Sequence, residues 1–312
     1  MKAVVFDKRA PLKLLYREVE KPVPGPGEVL VKIAAAAVNA GDWRSMRLGV
    51  IPKRKIFGAD VAGVVEAVGT GVRRFRPGDE VAGDLSACGM GGFAEYVAAA
   101  EGALATKPAR LTFEQAAALP VSAVTALQAL RKGEEIKPGH KVLVYGAGGG
   151  VGMYLVQLAK RFGAEVTAVC GPGNVELMRT LGADFIVDYT RENVFGGPAR
   201  YDRVISVNGS RPLFAYRRAL RPQGTAVIVG GPLRLIISGM LLSPLLSLGG
   251  KKLFVLSSKP DIGDLEFVLK LAADGGVTPV IGRTYPLRET ASAMQYVQQG
   301  HAYGKTMVQI HS

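Results

Sequence analysis

Only two cysteines, Cys88 and Cys170, occur in the 312 residues. They can build neither a disulfide framework nor a four-cysteine zinc site. Histidine is equally scarce: His140, His301 and His311 are the full set. None has another candidate ligand beside it in the sequence, which argues against a histidine-based metal centre. The expected home of such a thiol-poor chain is the reducing cytoplasm. Long apolar runs are missing too. The longest, residues 233–248, contains Arg234 and Pro244 and falls short of the ~20 apolar residues that a membrane-spanning helix needs. The N-terminal apolar stretch meets Asp7 too soon for a signal peptide. Acid is short relative to base, 26 residues against 39, leaving a net charge of +13. Basic residues cluster at Lys53-Arg54-Lys55, at Arg73-Arg74 with Arg76, at Arg217-Arg218 with Arg221, and at Lys251-Lys252. Such a field attracts phosphorylated ligands, nucleic acid or an anionic membrane. No helix-turn-helix, zinc-finger or RNP-like motif accompanies it, so a solvated basic surface is expected and a nucleic-acid partner is not.

Glycine and proline, by contrast, are plentiful, at 40 and 18 residues. They are scattered rather than periodic, which indicates many tight turns and not a fibrous or disordered polymer. The first third alternates short apolar runs with turn signals. Residues 1–6, 29–34, 61–68, 80–82 and 93–97 read as strands of a small β-barrel-like domain. After Pro108 the pattern changes. Thr112 and Gln115 form a capping box at a helix start, and 120–130 reads as a second helix. Strands at 141–145, 165–169, 185–187, 203–207 and 226–229 then alternate with helices at 151–162, 175–181 and 213–220. Alternation of this kind implies a parallel, doubly wound sheet. From about residue 280 strand-like runs return around a helix at 289–299, and this tail is expected to rejoin the first domain. The domains are therefore drawn as 1–115 with 280–312, and 116–279.

The strongest local motif is Val142-Leu143-Val144-Tyr145-Gly146-Ala147-Gly148-Gly149-Gly150-Val151-Gly152. A buried strand runs into glycines and a helix follows, the context in which backbone N–H groups and a helix N-terminus cradle a pyrophosphate. The expected dinucleotide contacts are Ala147, Gly148, Gly149, Gly150, Val151 and Gly152, with Gly171, Asn174, Tyr189 and Gly230 at the ends of later strands. A site for NAD usually carries an acid after the second strand, to bind both ribose hydroxyls. Here Val169-Cys170-Gly171-Pro172-Gly173-Asn174 offers none. Nothing repels a 2′-phosphate, so NADPH is favoured and NADH stays open. No cation in the turn greets that phosphate either. Arg179 and Arg191 are the nearest, each equally suited to a solvated surface role.

Several further segments stand in a fixed order: Val38-Asn39-Ala40-Gly41-Asp42, Gly58-Ala59-Asp60-Val61-Ala62-Gly63, Val68-Gly69 through Pro77-Gly78-Asp79-Glu80-Val81, Gly92-Phe93-Ala94-Glu95-Tyr96, and Leu119-Pro120 with Thr125-Ala126. With the glycine turn, they resemble the zinc-free quinone oxidoreductase-like branch of the medium-chain dehydrogenase/reductase superfamily over nearly the whole chain. The resemblance implies an α/β fold: a GroES-like β-barrel catalytic domain interrupted in sequence by a Rossmann domain with a doubly wound parallel sheet, the active site lying in the cleft between them. Zinc-dependent relatives carry a cysteine in the segment matching Val38 to Asp42 and a His-Glu pair where this chain has Ala59-Asp60. Those ligands are missing, so no zinc is expected and alcohol oxidation is disfavoured. The implied activity is hydride transfer from NADPH to a small electrophilic substrate, a quinone or an α,β-unsaturated carbonyl. The resemblance also implies a homodimer.

By the same resemblance the catalytic candidates are Asn39, Asp42 and Thr125. Asn39 is a partner for substrate or a cofactor hydroxyl. Asp42 is an acid, a water-binder or a loop cap. Thr125 meets the nicotinamide end or simply packs within its helix. Many relatives place a tyrosine after the asparagine, whereas this chain has Trp43-Arg44-Ser45-Met46, so the proton donor is unassigned. Trp43 suits a pocket wall or plain packing equally. Cys88 has no neighbouring base, and a catalytic thiol is not expected. Residues 233–252 read either as a dimer-facing or core-packed insertion, or as a surface for peripheral membrane contact helped by Lys251-Lys252. Two rival functions remain at this level: a feebly catalytic NADPH-binding sensor or partner protein, and a basic protein associated with nucleic acid.

Overall fold

In the computed structural model, which describes residues 1–300 and 302–310, the chain leaves one unit, builds a second and returns to the first. The outward part comprises strands Lys2–Phe6 (β1), Leu14–Glu18 (β2) and Glu28–Val38 (β3), helix Ala40–Arg47 (α1), strands Asp60–Val68 (β4), Glu80–Asp84 (β5), Tyr96–Ala100 (β6) and Leu104–Thr106 (β7), and helices Phe113–Ala117 (α2) and Pro120–Arg131 (α3). Next come Lys141–Tyr145 (β8), Gly150–Arg161 (α4), Glu165–Cys170 (β9), Val175–Thr180 (α5), Phe185–Asp188 (β10), Tyr201–Val207 (β11), Leu213–Ala219 (α6), Leu220–Val229 (β12), Leu233–Leu246 (α7) and Lys252–Leu256 (β13). The return consists of Ile262–Ala273 (α8), Ile281–Pro286 (β14), Thr290–Gln298 (α9) and Lys305–Gln309 (β15).

The first unit, Met1–Val124 with Lys259–Ser312, is built on a seven-stranded sheet in the order β14-β15-β3-β4-β5-β7, with β6 also paired to β3; β1 and β2 form a separate ribbon. Apart from the parallel β14–β15 pair, its ladders are antiparallel. Ile33, Phe57, Leu85, Phe93 and Leu104 are fully buried in its core. The returning strand β15 lies antiparallel to β3, with Thr306 opposite Val38. That register sets Lys305 close to the end of β3, where Asn39 begins α1.

The second unit, Thr125–Ser258, is a six-stranded sheet in the order β10-β9-β8-β11-β12-β13. Every neighbouring pair is parallel. Strand β8 shows why. Its Val142, Leu143 and Val144 are all fully buried, as a parallel strand covered on both faces requires. The order reverses direction between β8 and β11, the switch point at which such sheets bind ligands beyond their strand ends. Arg203 on β11 fixes the end of α3. Its guanidinium donates to the carbonyl of Leu130 in the last turn of α3 (2.9 Å), which has no partner within the helix, and to those of Lys132 and Glu134 just beyond it.

The units part at Val124/Thr125 and Ser258/Lys259 rather than at the sequence boundaries of 115/116 and 279/280. The reason is packing: α2 lies on β3 and β4, and α8 lies on β7. Five elements carried no clear sequence signal, namely β2, α1, β7, β13 and α8. The expected strand at 93–97 forms three residues later, as β6. Residues 233–246 are a helix, α7, with Pro244 in its last turn. No helix among the described residues is long and apolar enough to cross a membrane.

Candidate active site

The glycine turn of the second unit is made by backbone. Gly146, at the end of β8, has φ +84°, and a Cβ there would lie 2.3 Å from the Val207 carbonyl of β11. Gly146 and Ala147 both donate to the Val169 carbonyl, at 3.0 and 2.9 Å, which ties the turn to β9. Gly149 is the N-cap of α4 and brings no side chain to the first turn. The N–H groups of a helix's first turn have no acceptor within the helix, so those of Gly150, Val151 and Gly152 are available to an anion. Gly152 is packed hardest: a Cβ would stand 2.3 Å from the Gly146 carbonyl and 2.6 Å from that of Ala147. Helix and turn touch there through backbone alone.

Asn174 lies over this turn. A Cβ on Gly148 would meet its side chain at 2.7 Å, and its buried Oδ1 has no hydrogen-bond partner. A buried carbonyl left unpaired costs about 1–3 kcal/mol, which a ligand hydroxyl would relieve. Tyr189 places its hydroxyl 3.0 Å from where a Cβ on Gly171 would sit and is partly exposed. Gly230, with φ +65°, ends β12. An unsatisfied acceptor, a cradle that side chains would fill and an open helix N-terminus together fit a dinucleotide. The cations weighed for a 2′-phosphate are both engaged: Arg179 pairs with Glu176, and Arg191 with Asp188 at 3.8 Å. Burial, with Asp188 nearby, pushes the Cys170 thiol up to about 11, which removes it as a nucleophile.

Thr125, also in this unit, is buried. Its hydroxyl donates to Ser258 Oγ at 3.0 Å, and Ser258 donates onward to Gln128 Oε1 at 3.1 Å.

The first unit gathers a polar cluster from four segments. Asn39 Nδ2 donates to Asp60 Oδ2 at 2.8 Å. Lys305 Nζ donates to Asn39 Oδ1 at 2.8 Å, to Ser122 Oγ at 2.9 Å and to Asp60 Oδ2 at 3.2 Å. Ser122 in turn donates weakly to Asn39 Oδ1 at 3.4 Å, and Asp60 Oδ1 accepts from the Val121 N–H at 2.8 Å. The Lys305 and Asp60 side chains are 2% and 0% exposed, so neither charge has help from water. Asp42 is a cap: its carboxylate accepts from the Asn39 N–H at 2.7 Å and the Gly58 N–H at 3.2 Å. Burial drives its carboxyl up to about 7, with Asp60 adding to the effect and the two N–H donors opposing it. Burial and Asp60 likewise raise Asp84 to about 6. Trp43 packs against the hydrophobic core of this unit.

Asn39 and Asp42 are thus brought together, and Thr125 lies in the other unit. Sequence reasoning missed Lys305 and Ser122, and quoted Asp60 only as part of a motif. The available signal was a lysine heading the apolar run Thr306-Met307-Val308, since a buried ammonium demands partners. Among the described residues no three His, Cys, Asp or Glu side chains are grouped to hold a metal; His301 and His311 lie outside the described residues. Cys88 is exposed, and partial desolvation raises its thiol. Several expected basic patches are locally engaged: Arg74 with Glu266, Arg221 with Asp202, Lys252 with Glu134, and Arg217 with the Leu246 and Leu248 carbonyls.

Two family descriptions match the chain, "alcohol dehydrogenase GroES-like domain" over residues 25–109 and "zinc-binding dehydrogenase" over 181–308. The chloroplast envelope quinone oxidoreductase homolog of Arabidopsis thaliana is 37% identical, with 95% of this chain and 94% of that one covered. The chloroplastic NADPH-dependent alkenal/one oxidoreductase of the same plant is 34% identical, covering 99% of this chain and 79% of that one. Among solved structures, the quinone oxidoreductase from Coxiella burnetii aligns with a TM-score of 0.90 at 28% identity, covering 100% of this chain and 99% of that one. The chain belongs to the quinone oxidoreductase-like branch of the medium-chain dehydrogenase/reductase superfamily.

Proposed function

We propose that this protein is an NADPH-dependent, metal-free reductase that transfers hydride to a quinone or an α,β-unsaturated carbonyl. The observation that carries the reading is the glycine turn at the sheet's switch point, with the orphaned Asn174 carbonyl beside it. Relatives named quinone oxidoreductase and alkenal/one oxidoreductase support the substrate class. Support for a metal-free site comes from the side chains themselves: the segment Val38 to Asp42 has no cysteine and Ala59-Asp60 stands where the resemblance would put a His-Glu pair, and Asp60 is already committed to Lys305, Asn39 and Val121.

Ala147 to Gly152 would hold the dinucleotide's phosphates through backbone N–H groups, and Asn174 and Tyr189 would take hydroxyls of its adenosine end. The bound nicotinamide supplies a hydride. Around that transfer the protein orients, donates and excludes water. Asn39 donates a hydrogen bond to the acceptor oxygen as charge builds there. Asp42 holds the Asn39 backbone and the Gly58 loop in place rather than acting as an acid. Thr125, its hydroxyl donated to Ser258, would meet the nicotinamide end. Solvent returns the proton. We also propose a homodimer: β13 is a free edge of its sheet, and α7 beside it leaves Met240, Leu241 and Leu245 exposed at 65, 74 and 60%. A peripheral membrane contact through 233–252 is the second use of that face, and cytoplasmic residence completes the reading. The test is steady-state NADPH oxidation with a quinone and with an alkenal, before and after exhaustive treatment with a zinc chelator. Turnover that survives the chelator is expected; turnover lost with the metal would overturn the metal-free assignment.

A further inference from the structure

The sequence places Lys305 and Asn39 at opposite ends of the chain, yet β15 and β3 pair so that the ammonium reaches the amide. Each donor of Lys305 has one acceptor: Asn39 Oδ1, Ser122 Oγ and Asp60 Oδ2. Both oxygens of Asp60 are also engaged, by Val121 N–H and by Asn39 Nδ2. This closed arrangement fixes the Asn39 amide in one of its two orientations. A flip would set an NH₂ group against an ammonium and a carbonyl oxygen against a carboxylate. The carbonyl is thereby consumed, and among the described residues one Nδ2 hydrogen is left without an acceptor. That hydrogen belongs to an amide whose oxygen is bound by a cation, and hydrogen bonds in such a chain strengthen one another.

We propose that Lys305 is a positioning residue, which holds and polarises Asn39 as a hydrogen-bond donor toward the ligand oxygen that gains charge. The proposal rests on the reductase reading given above. Stability alone is a weak account of the cluster. A buried ion pair pays desolvation on both partners, and apolar replacements of similar volume are often neutral or better. Three carboxylates, Asp42, Asp60 and Asp84, lie in or beside the cluster, with Lys305 as the cation acting on all three. Asp60 Oδ2 lies between the ammonium and Asn39 Nδ2 and accepts from both, and so Nδ2 rather than Oδ1 faces it.

The test compares wild type with Asp60→Asn/Lys305→Met, which removes both charges of the ion pair at once. In this variant the amide introduced at position 60 still accepts from Val121 through its oxygen. It then presents its NH₂ to Asn39, which favours the flipped Asn39 amide. The expected result is a folded protein with NADPH affinity within about twofold of wild type, KM for the acceptor within about threefold, and kcat lower by at least about tenfold. Adding Asn39→Ala to the variant should lower kcat no further, because the donor has already been turned away. A folded double variant with wild-type kcat overturns the proposal, as does a full additional loss on adding Asn39→Ala. If wild type reduces no quinone or enone, it is the reductase reading that fails. The Asn39 side-chain amide resonance, read without substrate in the same samples, then decides on Lys305. A resonance moved or split in the variant upholds its hold on Asn39, and an unchanged one ends it.

Discussion

The two candidate functional regions are built by opposite means. In the second unit the chemistry is in the backbone: a strand, five consecutive residues rich in glycine, and a helix, all contiguous in the sequence. In the first unit it is in side chains, and Asn39, Asp60, Ser122 and Lys305 come from four separated segments. A backbone site depends on what is absent, since a methyl group at a close-packed position such as Gly152 would press on backbone. A side-chain cluster depends on what is present, and losing one member exposes the charge of another.

The largest effect should come from breaking the cluster on one side only. Lys305→Met alone leaves Asp60 buried and unpaired, and such a residue costs about 3–5 kcal/mol. Denaturant unfolding should register that loss, and Asp60→Asn/Lys305→Met should recover most of it; equal losses in both variants would show that the pair is not coupled. In the backbone region Gly152→Ala forces a methyl against the Gly146 and Ala147 carbonyls, worth about 1–3 kcal/mol, with NADPH binding weakened at the same time. Gly149→Ala, whose Cβ meets nothing closer than 3.7 Å, should cost only a few tenths of that in thermal unfolding. Equal effects at the two glycines would refute the close-packed turn.

A further contrast concerns pH. In the folded chain Asp42 titrates near 7, and in the unfolded chain a carboxyl titrates near 4. Between those values the folded state keeps a proton that the unfolded state has lost, so this group's contribution to stability falls as pH rises from about 4 to about 7. The stability of wild type relative to Asp42→Asn should therefore decline across that window, by up to ~1 kcal/mol per pH unit. A flat difference would mean that Asp42 is ionised throughout. A modest effect is expected of Thr125→Val, which removes one buried hydroxyl bonded to Ser258 and should cost about 0.5–1.5 kcal/mol in denaturant unfolding.

The same contrast explains what could be read from the sequence. The parallel sheet, the glycine turn and the capping box at Thr112 were legible because each is local: a β-branched run, a string of glycines, a Thr and a Gln three residues apart. Thr112 and Gln115 do exchange their bonds, at 3.2 and 3.0 Å. Residues 233–246 could be marked as apolar but not as a helix packed on β13, because their periodicity is blurred by leucines on every side. The compact units divide the chain elsewhere than the edges drawn from the sequence, because the placement of α2 and α8 is decided by tertiary packing. A resemblance singled out Asn39 and Asp42, which the structure brings together, whereas nothing in Gly304-Lys305-Thr306 points to a partner some 266 residues away.

The most direct measurement is a fluorescence titration of the wild-type protein with NADPH and with NADH, followed in the same cuvette by a quinone and then an enone. The account predicts saturable binding, tighter for NADPH, and cofactor oxidation once an acceptor is added. Binding without oxidation by either acceptor would contradict the reductase assignment and leave a nucleotide-binding sensor in its place; failure to bind either nucleotide would contradict the reading of the glycine turn itself.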